Sequence, residues 1–391
     1  MYNRIFKPPA NSFFLFGPRG TGKSSFIRTH FPTDPYIDLL DPSVFTELLA
    51  SPSRLLDRVS LRHFRKSEQF IIVDEVQKVP ELLDEVHRLI ESERIRFILT
   101  GSSTRKLRRS GANLLAGRAV TRYLHPLTSV ELGGDFDLLS ALRQGFLPGA
   151  LAASDPSDFL KSYVATYLRE EILAEGILRN LSAFARFLEA ASFSQTQLLN
   201  VAEVAQESHV SRKVAEDYFQ ILEDLLLAVR LEPFTRRAKR KISSHKKFMF
   251  FDVGVFRAIR PRGVLDVETE IDGAALETLV WQELAALNDY FAAEYQISFW
   301  RTTSKLEVDF ILYGPNGFFA IEVKRSHRIR PGDLDGLKTF LQDYPESQAI
   351  ALYTGTRAYH DAGVDVVPLE SWFGTNGECM KRMFSKFIPN L

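Results

Sequence analysis

The sequence predicts an α/β chain: a parallel sheet covered by helices at the N-terminal end, a helical middle, and a second α/β domain towards the C-terminus. Three observations carry that prediction. The apolar run Phe13-Phe14-Leu15-Phe16 leads into the glycine-rich stretch GPRGTGKSS, Gly17 to Ser25, and then into the helix-compatible SSFIRTHF. A second run, Phe70-Ile71-Ile72-Val73, is apolar without alternation, the pattern of a strand covered on both faces. From residue 272 onward, a helical stretch is followed by three strand-like runs, a further helix and a further strand.

Composition limits the classes open to the chain. With 391 residues, 45% hydrophobic and 25% charged, it is long enough for two or three globular domains with sizeable cores. Lys plus Arg equal Asp plus Glu at 49 each, so any polyanion site must be a local patch rather than a property of the whole. Cys379 is the one cysteine, which excludes an internal disulfide and fits a reducing, cytoplasmic compartment. The first residues, MYNRIFKPPANSFF, lack the apolar core of a signal peptide, and no window reaches the roughly 18 consecutive apolar residues of a membrane span.

The stretch after the first strand meets the pattern G-x-x-x-x-G-K-[ST] with Gly17, Gly22, Lys23 and Ser24, between a strand and a helix. Glycines let backbone N–H groups close around phosphates, and a helix N-terminus favours their negative charge. The loop Gly17, Pro18, Arg19, Gly20, Thr21, Gly22, Lys23, Ser24 and Ser25 is therefore expected to bind ATP, with Lys23 on the β and γ oxygens and Ser24 on Mg²⁺. Asp74 and Glu75 follow the second apolar strand, at the edge where open α/β sheets place ligands. Asp74 is the expected second Mg²⁺ partner and Glu75 the expected base for an attacking water. A third strand, Arg96 to Thr100, ends in Gly101-Ser102-Ser103; Ser102 either orients water or γ-phosphate at the same edge or caps a helix.

After the basic stretch TRKLRRSGANLLAGR, read as a helix, comes the strand-like AVTRYLHPL, with Arg118 at the junction. The order strand, glycine-rich loop, helix, strand (PYIDL), helices, DE strand, helix, GSS strand, helix, Arg, strand resembles an AAA+ ATPase module. In that resemblance Arg118 takes the place of the arginine finger that reaches a neighbouring subunit's nucleotide, so hydrolysis would require a homo-oligomer. GPRGTGKS, VDEVQKVPEL, FILTGSST, LAGR and LHPLTSVEL together resemble one prokaryotic AAA+ branch. That resemblance implies a helical lid, a winged-helix-like segment and a C-terminal domain related to the PD-(D/E)xK nucleases. GFLPGAL, 145 to 151, departs from the turn expected in such a lid, so no sensor-2 arginine is assigned; Arg143 is only nearby.

Residues 156 to 200 have helical spacing and read as lid and connector. The segment from Leu198 to Phe234 then reads as helix, turn at Glu207-Ser208-His209, helix from Ser211, and strand, which is winged helix-turn-helix order. Glu216, Asp217, Glu223 and Asp224 on the second helix would repel phosphate. The basic run 236 to 247, RRAKRKISSHKK, reads either as a solvated loop or as a set of DNA phosphate contacts by Arg236, Arg237, Lys239, Arg240, Lys241, Lys246 and Lys247.

In the C-terminal part, a helix at 272 to 290, the strands QISFWR, LEVDFILY and GFFAIEVK, a helix at 332 to 343 and the strand QAIALYT follow the core order of the PD-(D/E)xK fold. The motif positions of that resemblance fall on Glu277, Asp309, Glu322 and Lys324. Antiparallel pairing across the Gly314-Pro315-Asn316-Gly317 turn would bring Asp309 and Glu322 together, able to share Mg²⁺. Lys324, on the same strand face as Glu322, would orient water or stabilise phosphate charge. Trp300 and Arg301 lie beside this site in the chain, where they would stack on a base or contact phosphate, while Trp300 reads equally as core.

The sequence thus reads as a P-loop AAA+ ATPase module at 1–130, a helical lid and connector at 131–180, a winged-helix-like segment with a basic loop at 181–247, and a restriction-endonuclease-like domain at 248–391. Its expected function is that of a Mg²⁺-dependent ATPase motor, a homo-oligomer with a hexameric ring among its forms, that translocates or remodels DNA. No membrane partner is expected. Two alternatives stand beside it: an ATP-controlled switch or scaffold whose nuclease-like domain docks a protein, and a Mg²⁺ nuclease gated by ATP.

Overall fold

A computed structural model describes residues 2–59, 69–103, 107, 115, 117–168, 181–264, 266–373 and 383–384. Most of the basic stretch 104–116, the end of the expected lid at 169–180, and Cys379 lie outside the described residues. Among the described residues no helix is long and apolar enough to cross a membrane. The chain forms two compact units. One comprises Phe6–Pro126 with Asp224–Leu227, the other Met1–Ile5, Leu127–Glu223 and Ala228–Leu391.

The first unit is built on five parallel strands: β1 (Phe13–Phe16), β2 (Tyr36–Asp38), β3 (Phe70–Asp74), β4 (Arg96–Gly101) and β5 (Val120–Tyr123). Their order across the sheet is β2-β3-β4-β1-β5, all neighbours parallel. Every residue of β1 and β3 is buried, which explains why neither run alternates: helices cover both faces. The core collects Phe14, Phe16, Ile71, Val73, Phe97 and Leu99 from the sheet and Val86 and Leu89 from the helix Leu82–Glu93. Full burial of each such large side chain contributes about 1.5–3 kcal/mol.

The second unit contains three parts. The helices Leu181–Ser192, Val201–Glu207 and Arg212–Asp224 are followed by an antiparallel pair, β6 (Ala228–Leu231) and β7 (Lys247–Phe250). Phe184, Phe187, Tyr218, Phe219 and Phe248 form a chain of edge-on aromatic contacts that packs those helices on the pair. A six-stranded sheet follows, with β8 (Gln296–Arg301), β9 (Glu307–Gly314), β10 (Gly317–Lys324), β11 (Gln348–Tyr353), β12 (Tyr359–Asp361) and β13 (Val364–Pro368) in the order β12-β13-β11-β10-β9-β8. The helix Glu268–Tyr290 precedes this sheet, and the helix Asp335–Asp343 connects β10 to its parallel neighbour β11. Strand β8 would be an open edge, but the chain between β6 and β7 covers it. The Phe234 and Ser243 N–H groups donate to the Phe299 and Arg301 carbonyls at 2.6 and 2.9 Å, and Phe234 enters the sheet's core beside Trp300.

The turn at GFLPGAL forms a close backbone crossing in the second unit. Gly145 has φ 64°, and a Cβ there would lie 2.3 Å from Asp252 Oδ1; a Cβ on Gly254 would lie 2.2 Å from the Gln144 carbonyl oxygen. Asp252, fully buried, caps the helix Val253–Ile259 through the Val255 N–H at 3.0 Å and accepts the Phe146 N–H at 2.8 Å. Burial pushes its carboxyl up to about 6 against the pull of those N–H donors. Replacing the acid removes a helix cap and orphans a buried N–H. Asp252→Ala is expected to destabilise the second unit by about 2–4 kcal/mol in denaturant unfolding, and a loss below roughly 0.5 kcal/mol would contradict this account.

Candidate functional site

The glycine-rich loop leaves β1 where β5 also ends. A Cβ on Gly17 would meet the Leu124 carbonyl oxygen at 2.3 Å, so a larger residue cannot stand at the loop's first position. Gly20 and Gly22 take left-handed conformations, φ 85° and 91°, that other residues adopt only at a cost. Gly22 also precedes the helix Lys23–His30, whose N-terminus has no side-chain cap, so its backbone N–H groups are available to an anion. Lys23 is buried, and its ammonium donates to the carbonyls of Gly17 at 2.7 Å and Pro18 at 3.1 Å. Thr21 Oγ1 closes the turn on the Pro18 carbonyl at 3.0 Å.

Strand order decides what faces this loop. With β4 inserted between β1 and β3, Asp74 emerges two strands from β1, roughly 9–10 Å away in the sheet. Ser24, at the start of the helix after β1, spans that gap: its Oγ donates to Asp74 Oδ2 at 3.0 Å. The Tyr36 hydroxyl donates to the same oxygen and Thr100 Oγ1 to Asp74 Oδ1, so three hydroxyls hold one buried carboxylate. Burial first, and then the hydrogen bond to Asp74 and the Asp74 charge, raise the Tyr36 phenol well above its ordinary value. Ser24 and Asp74 thus set two hard oxygens side by side, the donor type Mg²⁺ takes; the residues present fit a Mg²⁺–nucleotide complex.

Glu75 follows the end of β3 in a left-handed conformation, φ 60°. Its N–H donates to Thr100 Oγ1 at 3.2 Å, and its Oε2 accepts from Gln77 Nε2 and, at 3.3 Å, from Ser102 Oγ. Ser102 is thereby placed against Glu75. Tyr36, Gln77 and Thr100 were not singled out by the motifs; Gln77 stands two residues after Glu75 in DEVQ, and only the fold brings the other two to Asp74.

Arg118 lies at the other edge of the same sheet. Phe13 pairs with Val120, so Arg118 precedes the start of β5, whereas the loop follows the end of β1 about 13 Å further along the strands. Its guanidinium pairs with Glu91. Arg118 is on the wrong side of the sheet to serve the nucleotide loop of its own chain.

In the second unit the expected acidic residues come together. Antiparallel β9 and β10 pair Ile321 with Phe310, which places Asp309 beside Glu322, and the Val323 N–H donates to Asp309 Oδ2 at 2.9 Å. Lys324 donates to Glu322 Oε1 at 2.6 Å, and Glu277 reaches the group from the helix Glu268–Tyr290. They line one end of a cavity of about 640 Å³ together with Glu307 and Glu270. Burial raises the Glu277 carboxyl to about 8, with the Asp309 charge adding to the rise and Lys247 opposing it. Glu322 is raised by burial and Asp309 in the same way.

Lys247 departs from the basic-run expectation. Its side chain is 1% exposed, and its ammonium contacts Glu277 Oε1 at 2.6 Å, Glu307 Oε1 at 2.8 Å and Asp309 Oδ1 at 3.2 Å. A group so enclosed cannot touch a DNA phosphate; it belongs to the acidic cluster because Lys247 opens β7 and points inward. Arg236 lies over the Tyr313 ring at 4.8 Å, Arg240 pairs with Asp343 at 2.7 Å and Lys246 with Glu232 at 2.5 Å. Arg237, Lys239 and Lys241 are exposed and make no ion pair among the described residues. Trp300 is fully buried against Phe340, so it is core and offers no stacking surface, while Arg301 pairs with Glu307 at 2.5 Å.

Comparison with known proteins matches three stretches of the chain to family models. Residues 10–133 match the family model of an AAA domain, 136–267 a domain of unknown function (DUF8612) and 272–372 a second domain of unknown function (DUF4143). Uncharacterized proteins of Mycobacterium bovis (Mb2031c) and Mycobacterium tuberculosis (Rv2008c) are each 25% identical over 354 residues, covering 88% of this chain and 77% of theirs. The crystal structure of protein VC1899 from Vibrio cholerae aligns over 97% of this chain and 98% of that one at 12% identity, but its TM-score of 0.25 carries no argument. The AAA match, together with the parallel sheet and the loop geometry, makes the N-terminal part a P-loop ATPase domain of the AAA type.

Glu75, held by Gln77 and Ser102 and next in the chain to the Asp74 that Ser24 meets, is the residue expected from the sequence to be the base, and its replacement tests that expectation. Glu75→Gln is expected to retain ATP binding while turnover falls by about 10²–10⁴-fold. Steady-state phosphate release alongside equilibrium binding of a fluorescent ATP analogue would check both halves; unchanged turnover removes Glu75 from the chemistry.

Proposed function

We propose that this chain is a Mg²⁺-dependent ATPase that works as an oligomeric motor on DNA, binding the nucleic acid through its second unit. The observation that carries the ATPase half is the Ser24–Asp74 hydrogen bond with Glu75 held beside it. In this reading the Gly17–Ser25 loop binds the phosphates, with Lys23 exchanging its loop carbonyls for β and γ oxygens. Ser24 and Asp74 would hold Mg²⁺, which would supply charge neutralisation at the phosphates. Glu75 takes the proton of the attacking water, and Ser102 with Gln77 positions that carboxylate. Arg118 reaches the nucleotide of a neighbouring copy, consistent with its place at the far edge of its own sheet.

Within the second unit we assign 131–180 to a lid and connector, 181–247 to a winged helix and 248–391 to a nuclease-like domain. Two features support DNA as the substrate. The acids Glu216 and Glu223 on the helix Arg212–Asp224 are taken up by Arg230, at 2.6 Å for Glu223, which lessens their repulsion of phosphate. The start of that helix exposes Arg212 and Lys213, and the connection between β6 and β7, the wing in this reading, exposes Arg237, Lys239 and Lys241. A helix start and a wing with unpaired cations are suited to contact phosphates on either side of a groove. The rival reading, a nucleotide-controlled switch whose C-terminal domain docks a protein, draws support from the internally neutralised acidic cluster.

Duplex, forked and single-stranded DNA should stimulate ATP turnover. Replacing Arg237, Lys239 and Lys241 together with Ala should weaken DNA binding at least tenfold and flatten its salt dependence by up to about three charges. If DNA neither binds at low salt nor alters turnover, the switch reading replaces the motor. Arg118→Ala should reduce turnover on the order of 10³-fold with ATP affinity retained, and activity should rise with protein concentration; wild-type turnover removes the finger assignment.

A further inference from the structure

The nuclease resemblance asks for a divalent ion shared by Asp309 and Glu322, and the side chains present do not fit one. Asp309 spends both oxygens internally, Oδ1 on the Lys247 ammonium at 3.2 Å and Oδ2 on the Val323 N–H at 2.9 Å. Glu322 Oε1 takes Lys324 at 2.6 Å. Glu277 Oε1 takes Lys247 at 2.6 Å, and Glu307 divides its oxygens between Lys247 and Arg301 at 2.8 and 2.5 Å. One oxygen of the motif pair, the buried Glu322 Oε2, has no hydrogen-bond partner. Among the described residues no group of three or more His, Cys, Asp and Glu is arranged to hold a metal ion. Mg²⁺ demands near-octahedral oxygen ligands at about 2.0–2.1 Å and Ca²⁺ six to eight, whereas here the centre of the carboxylates is filled by an ammonium.

We infer that this domain carries its own cation: the Lys247 ammonium, delivered from β7, stands in the place of the metal among Glu277, Glu307 and Asp309, and the site binds no divalent ion. The consequence is chemical. Without a metal to activate water and neutralise a phosphorane-like charge, the cluster lacks the hydrolytic centre that the nuclease resemblance implies. The ammonium itself is too enclosed, at 1% exposure, to contact a substrate phosphate. Its single charge lies against three acidic side chains and ties β7 to the helix Glu268–Tyr290 and to β9, so the nuclease-like motif has become a joint of the fold. This inference stands whether or not the ATPase acts on DNA.

Mn²⁺ titration of the full-length protein, followed by loss of the free-ion electron paramagnetic resonance signal without nucleotide, tests it. An Asp74→Asn background removes the metal position at the nucleotide loop. With Lys247 present, no Mn²⁺ should bind below about 1 mM in a manner sensitive to Asp309→Asn. Lys247→Ala should create one site at least tenfold tighter, lost again when Asp309→Asn is added, and Mn²⁺ should raise the melting temperature of the Lys247→Ala protein but not of its parent. Mn²⁺ bound with Lys247 in place and released by Asp309→Asn overturns the inference, as does a folded Lys247→Ala protein that gains no site. Should Lys247→Ala fail to fold, the comparison of Lys247-containing protein with and without Asp309→Asn decides alone.

Discussion

An ammonium removed from water must be surrounded by compensating charge, and in the second unit Lys247 imposes that requirement on three elements at once. Its partners come from the helix Glu268–Tyr290 and from β9, while Lys247 itself begins β7. The pair β6 and β7, the long helix and the six-stranded sheet are therefore registered against one another by a group that cannot be left unpaired. Removing one partner of such a buried cluster is costly because the remaining charge stays buried, even where the intact cluster adds little net stability. Arg240 with Asp343 and the N–H donors of Phe234 and Ser243 reinforce the same arrangement by covering the edge of β8.

The AAA unit depends on a different constraint, strand order. A parallel sheet delivers the C-terminal ends of all its strands to one edge, and the insertion of β4 between β1 and β3 supplies Thr100 and Ser102 to the two acids that end β3. Asp74 then receives hydroxyls from Ser24, Tyr36 and Thr100, each from a different segment. Such a network holds a carboxylate in one orientation before any ligand arrives, which is the form electrostatic preorganisation takes in phosphoryl transfer. The same geometry sends Arg118 to the opposite edge, where it pairs with Glu91.

Surface charge follows from these internal demands. The basic run looks uniform in sequence, yet its members divide by location: Lys247 is consumed by the core, Arg236, Arg240 and Lys246 are held by neighbours, and Arg237, Lys239 and Lys241 project outward. The acids of the helix Arg212–Asp224 look repulsive in sequence, yet Arg230 on β6 takes two of them. A count of charges along the chain does not separate these groups, because pairing across elements decides which charges meet solvent.

By itself the sequence determined the local features: the loop Gly17 to Ser25, the apolar strands Phe13–Phe16 and Phe70–Val73, the Asp74-Glu75 pair, and the hairpin that sets Asp309 beside Glu322. Each depends on residues close in the chain, on glycines that alone tolerate the loop's backbone, or on a two-residue periodicity. Tertiary structure decided the rest. That Tyr36 and Thr100 join the nucleotide site, that Trp300 is core, and that Lys247 is a buried counter-ion all depend on contacts between residues far apart in sequence. A lysine carries the same positive charge in a loop and in a core; whether it meets a phosphate or three carboxylates is set by which strand it begins and which face of that strand is buried.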